Sequence, residues 1–457
     1  MKTEIKKILT AIVGPENFSD QVIDLVAYST DATPRRHRPE AAIWVTNADQ
    51  VSEVLTLCNR ERVPVTARGA GTSLAGLAVP VKGGLVMDLC RMDKIVEICI
   101  EDRVAVVQPG VVYADLERTL APHGFFFPPD PASGMVATIG GNVATNAGGM
   151  KGAKYGVTKD YVLGLEVVLA DGRKMRTGSR CMKSSSGFDL TRLFVGSEGT
   201  LGIITEVILK INPKPRHNGT VRAVFDKIES AGQAVSQIMC SGIIPSILEI
   251  IDKNTLIAIN QNTNLQLPEA AAILLAEADG FTQEEANAQL AEIITIFKEN
   301  GATDVQMAKD PKEAEALWMA RKSAGGVLFR LNIALEVEDL AVPLSKVAEA
   351  LKFISELAEK YRLRIPTVGH AGDGNLHPAI SYNPNDPEEV NRLHLAAEEL
   401  LRKVTEWGGT LTGEHGIGLT KARFMPFEHQ DTALEVMRGL KHYFDPNNIL
   451  NPGKMGL

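Results

Sequence analysis

Cysteine is scarce and unpaired in this sequence. Cys58, Cys90, Cys99, Cys181 and Cys240 are its five, an odd number with no CxxC spacing among them. That excludes a disulfide framework and the usual iron-sulfur ligand run, and it suits free thiols in a reducing compartment. Positive charge is not in excess either: 48 Lys and Arg face 56 Asp and Glu, a formal charge of -8. A broad basic field for nucleic acid is therefore absent. No apolar run approaches the roughly 18 residues of a membrane span. The opening MKTEIKKILTAIVGPE sets Glu4 among lysines and holds only a short apolar stretch from Ile8 to Val13, so it reads as an amphipathic helix rather than a signal peptide. The expected location is the cytoplasm.

What is abundant is glycine, 40 residues, with 23 prolines in a chain of 457. At about 150 residues per domain this length predicts two or three domains, each with its own core. Residues 49–61 read as a helix entering a short strand at 64–67, and strand-like runs follow at 85–89, 104–107, 162–170 and 201–211. A helix is expected at 111–121, and Asp171-Gly172 predicts a hairpin turn. Pro213 and Pro215 mark a boundary, after which longer helices are predicted near 226–240, 281–300, 312–324, 343–361 and 386–406, alternating with short strands. The expected class is α+β, with segments 1–215, 216–405 and 406–457. The last holds a helix at 431–443 and a turn-rich tail, FDPNNILNPGK, able to pack back on the first.

Three glycine-rich segments stand out in the first half. ARGAGTSLAG, Ala67 to Gly76, offers consecutive backbone amides and the hydroxyls of Thr72 and Ser73, an anion nest without lysines. Its spacing is neither GxGxxG nor Walker A. PPDPASGMVATIGGNVATNAGG, residues 128–149, would let backbone pass close to a flat ring, with Ser133, Thr138, Asn142 and Asn146 for its polar atoms. GSEGTLGII follows at 196–204. Singly each reads as a structural turn; together they predict an extended cofactor.

The second half carries a different chemistry. GHAGDGNLH, residues 369–377, is a folded loop that can bring His370 and His377 together, and TGEHGIG at 412–418 adds Glu414. Two imidazoles and a carboxylate form a metal-ligand set, although hydrogen-bonded loop residues would look the same. His415 is either a proton acceptor or a group that orients Glu414. Arg321, within EAEALWMARKSAGG, is either a solvated charge or a bidentate carboxylate partner.

The glycine-rich segments, with KYG at 154–156 and NPGK at 451–454, resemble the FAD-binding domain of the vanillyl-alcohol oxidase type flavoproteins. Nearly the whole chain resembles the FAD-linked D-2-hydroxy-acid dehydrogenases, the group of the D-lactate and D-2-hydroxyglutarate dehydrogenases and of the catalytic subunit of glycolate oxidase. The resemblance implies an FAD-binding domain at 1–215, a substrate or cap domain at 216–405, and a C-terminal active-site segment at 406–457. Arg68, Gly69, Ala70, Gly71, Thr72 and Ser73 would surround the pyrophosphate. Pro129, Ser133, Thr138, Gly141 and Asn142 would lie along the flavin or diphosphate, and Gly199, Ile203 and Ile204 would contact the cofactor. Thr72 stands where covalent members carry His, which implies non-covalent FAD. His370, His377 and Glu414 would hold a divalent metal, zinc or else manganese or iron; His415 would be the general base, and Arg321 would bind the substrate carboxylate.

By the same resemblance, relatives that use 2-hydroxyglutarate carry additional polar and cationic residues for its distal carboxylate near the positions that look like Gly325, Val337 and Ala379 here. A small acid, D-lactate or glycolate, is therefore the expected substrate, with D-2-hydroxyglutarate as the alternative. Electrons would leave to an iron-sulfur subunit, an electron-transferring flavoprotein (as in a lactate dehydrogenase complex) or a quinone. The chain could then be peripheral to a membrane through its partner. No nucleic acid partner is expected, and a homodimer is compatible with these features.

Overall fold

The computed structural model describes residues 1–331 and 334–457, with Phe329 and Leu331 described by backbone alone. The chain divides into two compact units. One comprises Met1–Gly148, Val157–Lys214 and Glu414–Leu457; the other comprises Gly149–Gly156 and Pro215–Gly413. The sequence boundaries expected near 215 and 405 thus fall at 214 and 413, and 149–156 joins the second unit. Among the described residues, no helix is long and apolar enough to cross a membrane.

In the first unit the helix Ala48–Glu61 connects two strands, Ala41–Trp44 and Val65–Arg68, that flank Leu85–Asp88 in parallel. Asn47 starts the helix by accepting the Gln50 amide through its side chain, and Arg62 ends it in the left-handed conformation. Its buried Val51, Val54, Leu55 and Cys58 recur at helical spacing and share a core with strand residues Ile43, Val65 and Met87. A separate antiparallel sheet runs in the order Ile95–Cys99, Val104–Val107, Ile203–Lys210, Val162–Val168, Lys174–Gly178. The last two strands form the hairpin anticipated at Asp171-Gly172, with Gly172 at φ 87°.

The C-terminal tail is part of this first unit. Leu450 bridges Val65 in parallel, the Val65 amide donates to the Ile449 carbonyl at 2.7 Å, and the Asn451 amide donates to Val65 at 2.8 Å. Lys441, on the helix Asp431–Phe444, sits behind this closure and is 6% exposed. Its ammonium donates to the carbonyls of Thr200 and Leu450 at 2.9 Å and to Asp445 at 2.5 Å. Asp445 in turn accepts the amides of Ile449 and Leu450 at 3.0 and 2.7 Å. All three ammonium protons are used, so the buried charge is compensated.

The second unit is one antiparallel sheet clothed by helices. Its strands run Asp304–Met307, His217–Phe225, Ala272–Gly280, Ile247–Asp252, Thr367–His370, Asn375–Tyr382, Ala334–Val337. Alternation divides its two faces. Leu248, Ile250, Leu274, Ala276, Leu376 and Ile380 pack with helices Ile228–Cys240, Gln283–Glu299, Val347–Tyr361 and Pro387–Glu406. Ile247, Ile251, Ile273, Leu275 and Val368 face the other way, against helices Lys253–Asn262 and Pro311–Leu331. The latter is docked by buried Leu317, Trp318, Ala320 and Ala324, with the Trp318 indole N–H donating to the Thr220 hydroxyl at 3.1 Å. The short helix Gly152–Tyr155 belongs here because Lys154 pairs with Asp279 and the Tyr155 hydroxyl donates to Asp279 at 2.7 Å.

Removing the Lys441 ammonium would leave Asp445 charged and half-satisfied in the core. Lys441→Met should lower the unfolding free energy by about 3–5 kcal/mol, read from denaturant titration of the flavin-free chain. A loss under about 1 kcal/mol would mean that the tail closes without this cation.

Candidate functional site

The cavity of the first unit is built from the sequence's glycine-rich segments. It measures about 480 Å³ and is lined by Arg68 to Ser73, by Ser133, Thr138, Gly141 and Asn142, by Gly199, and by Glu414 and His415. Strand Val65–Arg68 delivers the first loop to its wall, where the Arg68 guanidinium donates to the Thr30 carbonyl at 2.6 Å and stacks over Tyr28. Close approach dictates the glycines here. A Cβ on Gly69 would strike the Thr138 hydroxyl, and Gly71, at φ 72°, lies against the Arg68 guanidinium.

Among the described residues, two buried polar atoms of this wall have no hydrogen-bond partner: the Asn142 amide nitrogen and the Asn451 side-chain oxygen. Buried groups of this kind normally find partners, so their presence beside a cavity fits a polar ligand with both donors and acceptors. A flavin dinucleotide, with a planar ring and a diphosphate, matches that lining.

Three residues expected at the cofactor do not line this cavity. Pro129 is buried outside the cavity wall. Ile203 and Ile204 begin the strand Ile203–Lys210, and alternation sends Ile203 into the core of the parallel sheet and Ile204 into that of the antiparallel sheet. Their side chains are consumed by packing.

A residue the sequence reading passed over does line the cavity. Glu198 is 4% exposed and holds φ 55°, a conformation costing a non-glycine residue about 1 kcal/mol. Its carboxylate accepts the amide of Ile417 at 2.6 Å and that of Gly418 at 3.2 and 3.0 Å, which pins the segment carrying Glu414 and His415. Gly148 packs on the Glu414 carboxylate, and the His415 Nε2 lies 3.8 Å from Glu414 Oε1. Burial pushes the Glu198 pKa up to about 7, against the two amides and the charge of Lys454. Lys454, 1% exposed, donates to the Val79 carbonyl at 2.7 Å, and burial pulls its pKa down to about 8. The GSEG and NPGK strings held this pair in plain view, but nothing local says that a surface-type residue is buried.

The second unit carries the other candidates on one face of its sheet. Strands Thr367–His370 and Asn375–Tyr382 form a hairpin in which His377 lies opposite Val368. Positions 368 and 370 point the same way, so His377 and His370 meet on that face, with ring centroids 5.1 Å apart at 81°. Both are buried, and the two-imidazole arrangement fits ligation of a borderline metal. Glu249, fully buried on the neighbouring strand, was also missed. It lies 2.5 Å from His370 Nδ1 and accepts from Arg321 Nε at 2.6 Å. Burial works to raise its pKa, but the interactions with His370 and Arg321 prevail and hold the carboxyl below its ordinary value. Behind His377, Asp339 lies 3.6 Å from Nδ1 and accepts from Asn375 at 2.7 Å and Thr412 at 2.6 Å. Glu414 and His415 belong to the first unit, and Arg321, His370 and His377 to the second.

The raised Glu198 pKa makes stability pH-dependent. The folded state holds this proton up to about pH 7, whereas the unfolded carboxyl loses it near 4.5. Its contribution is fully present below pH 4.5 and is lost as pH rises through 7. The unfolding free energy of Glu198→Gln relative to wild type should therefore climb between pH 5 and 7, at a slope approaching about 1.4 kcal/mol per pH unit. Denaturant unfolding of both proteins, free of flavin, checks this; a flat or falling difference would contradict it.

Comparison with known proteins agrees with this geometry. The FAD binding domain family matches residues 39–178, and the family of FAD linked oxidases, C-terminal domain, matches 214–455. The chain is 46% identical over 454 residues to glycolate oxidase subunit GlcD of Bacillus subtilis (strain 168), covering 99% of this chain and 96% of that protein. It is 36% identical over 454 residues to D-lactate dehydrogenase of Anaerostipes hadrus, covering 97% and 94%. The solved structure of p-cresol methylhydroxylase aligns with a TM-score of 0.83 at 22% identity, over 99% of this chain and 96% of that one. That of 4-ethylphenol oxidase from Gulosibacter chungangensis gives 0.79 at 18%, with the same coverage, and both likenesses establish fold alone. With both family domains matched in order along it, the chain belongs to the FAD-linked oxidases, an oxidoreductase flavoprotein with the vanillyl-alcohol oxidase type of fold.

Proposed function

We propose that this enzyme oxidises a small D-2-hydroxy acid, D-lactate or glycolate, to the 2-oxo acid, with non-covalently held FAD as hydride acceptor. The observation that carries this reading is the placement of His415 in the wall of the flavin cavity beside Glu414. An imidazole there can take the hydroxyl proton while C2 gives up its hydride. Bound FAD supplies the two-electron chemistry. The names of the relatives, glycolate oxidase subunit and D-lactate dehydrogenase, support the substrate class. Thr72, in the first loop of the cavity, has no ring nitrogen through which to attach a flavin.

Arg321 is assigned to the substrate carboxylate. Its Nε edge is committed to Glu249, which leaves the Nη edge for a planar, bidentate contact. His370, His377 and Glu414 are assigned as the donors for a divalent cation, zinc or else manganese or iron, which would lend Lewis acidity toward the hydroxyl. The small substrate follows from Gly325, one helical turn beyond Arg321, and from Val337 and Ala379, direct partners across two strands. None can pair a second carboxylate, and burying one unpaired is costly. The electrons then pass to a separate acceptor, an iron-sulfur subunit, an electron-transferring flavoprotein or a quinone. The word subunit in one relative's name supports a protein partner.

The test is anaerobic bleaching of the bound flavin by D-lactate, L-lactate, glycolate and D-2-hydroxyglutarate, after confirming that denaturation releases the FAD. D-lactate or glycolate should give the highest kcat/KM. Arg321→Lys should lower it roughly 10- to 100-fold, the worth of one charge-assisted hydrogen bond of about 1.5–3 kcal/mol. Preference for D-2-hydroxyglutarate would overturn the substrate assignment, and no bleaching by any acid would overturn the activity.

His415→Ala should keep FAD and metal and slow flavin reduction by about 10²–10⁴-fold. Rapid mixing under anaerobic conditions measures this directly. An unchanged rate would remove His415 from the proton-accepting role.

A further inference from the structure

We propose that Glu249 is a positioning residue that holds Arg321 and His370 in one fixed relation through a single carboxylate. This rests on the roles assigned above to those two side chains. Glu249 occupies the middle of strand Ile247–Asp252, between Ile247 and Ile251 on the face covered by helix Pro311–Leu331, and is 0% exposed. A carboxylate in such surroundings is tolerated only if donors meet it. Each oxygen has one: Oε2 accepts from Arg321 Nε at 2.6 Å, and Oε1 lies 2.5 Å from His370 Nδ1.

Two consequences follow from this geometry. An ionised carboxylate only accepts, so His370 must carry its proton on Nδ1, which leaves the lone pair of the neutral ring on Nε2. That is the tautomer a metal ligand needs, and a carboxylate behind a ligating imidazole both selects it and stops ring rotation. On the other side, the Nε bond fixes the plane of the Arg321 guanidinium. Among the described residues Glu249 is its only partner, so the Nη donors remain for a carboxylate, and Arg321 is only 14% exposed. The strand register sets Glu249 directly opposite His370, so neither contact depends on a loop. Asp339 stands farther from His377, 3.6 Å from Nδ1, and also engages Asn375 and Thr412.

Glu249→Gln is the discriminating variant. Its amide has one accepting oxygen and one donating nitrogen, so it either meets Arg321 donor to donor or, turned the other way, drives His370 to the Nε2–H tautomer and takes the lone pair from Nε2. The FAD-loaded full chain should then show Zn²⁺ binding weakened 10–100-fold in competition with a chelator. KM for D-lactate should rise at least tenfold, with a smaller change in kcat. Near-wild-type Zn²⁺ affinity and KM, with only a lowered melting temperature, would show a merely structural buried pair and overturn the proposal. A second measurement needs no variant. In metal-free wild type labelled with ¹⁵N-histidine at pH 8, the His370 signal, assigned by its loss in His370→Gln, should report the Nδ1–H tautomer. An Nε2–H tautomer would overturn the proposal whether or not the variant folds. Failure of wild type to be reduced by any hydroxy acid would instead strike the proposed activity, and the tautomer would still decide the role of Glu249.

Discussion

The flavin-binding unit depends on a carboxylate that has no business being buried unless something distant satisfies it. Glu198 meets the amides of Ile417 and Gly418, more than two hundred residues along the chain. Desolvation makes that charge costly, and the amides and Lys454 offset only part of the cost, so the pKa still rises to about 7. Because the interaction is directional, it also sets where the neighbouring segment lies. Glu414 and His415 reach the cavity wall as a result. The left-handed backbone at Glu198 is the strain this arrangement stores.

The same unit is closed by its own C-terminus. Leu450 extends the parallel sheet beside Val65, and Lys441 with Asp445 satisfies the carbonyls and amides that the turn into the tail leaves over. Asn451, delivered by that turn, contributes one of the cavity's unpartnered polar atoms. Fold closure and cofactor recognition therefore share the same few residues, and damage to the tail would be felt at both.

In the second unit, chemistry and packing are segregated by the pleat. One face of the sheet carries the larger aliphatic core, and the other presents Glu249, His370 and His377 amid a smaller one. The helix bearing Arg321 covers this second face through Leu317, Trp318 and Ala324. Rigid strands hold the imidazoles, and a packed helix holds the guanidinium, so the groups most sensitive to small displacements sit on the stiffest elements.

Much was legible from the sequence alone. The spacing of Val51, Val54, Leu55 and Cys58 made a helix of Ala48–Glu61, and Asp171-Gly172 made a hairpin, because both signals are local. The glycine-rich strings pointed to a cofactor, and the fold class followed from the order of elements. On their own chemistry Arg321, His370, His377, Glu414 and His415 stood open between site and structural roles, and it was the family resemblance that assigned them. Other features were decided only in three dimensions. Ile203 and Ile204 became core, 149–156 joined the second unit, and Glu198 and Glu249 became buried. A glutamate within LEIID reads as the solvent side of an alternating strand, and only the helix Pro311–Leu331, sixty residues on, turns that side into an interior. Periodicity tells which residues share a face; what covers that face is a property of the whole chain, and burial, charge and tautomer depend on the cover.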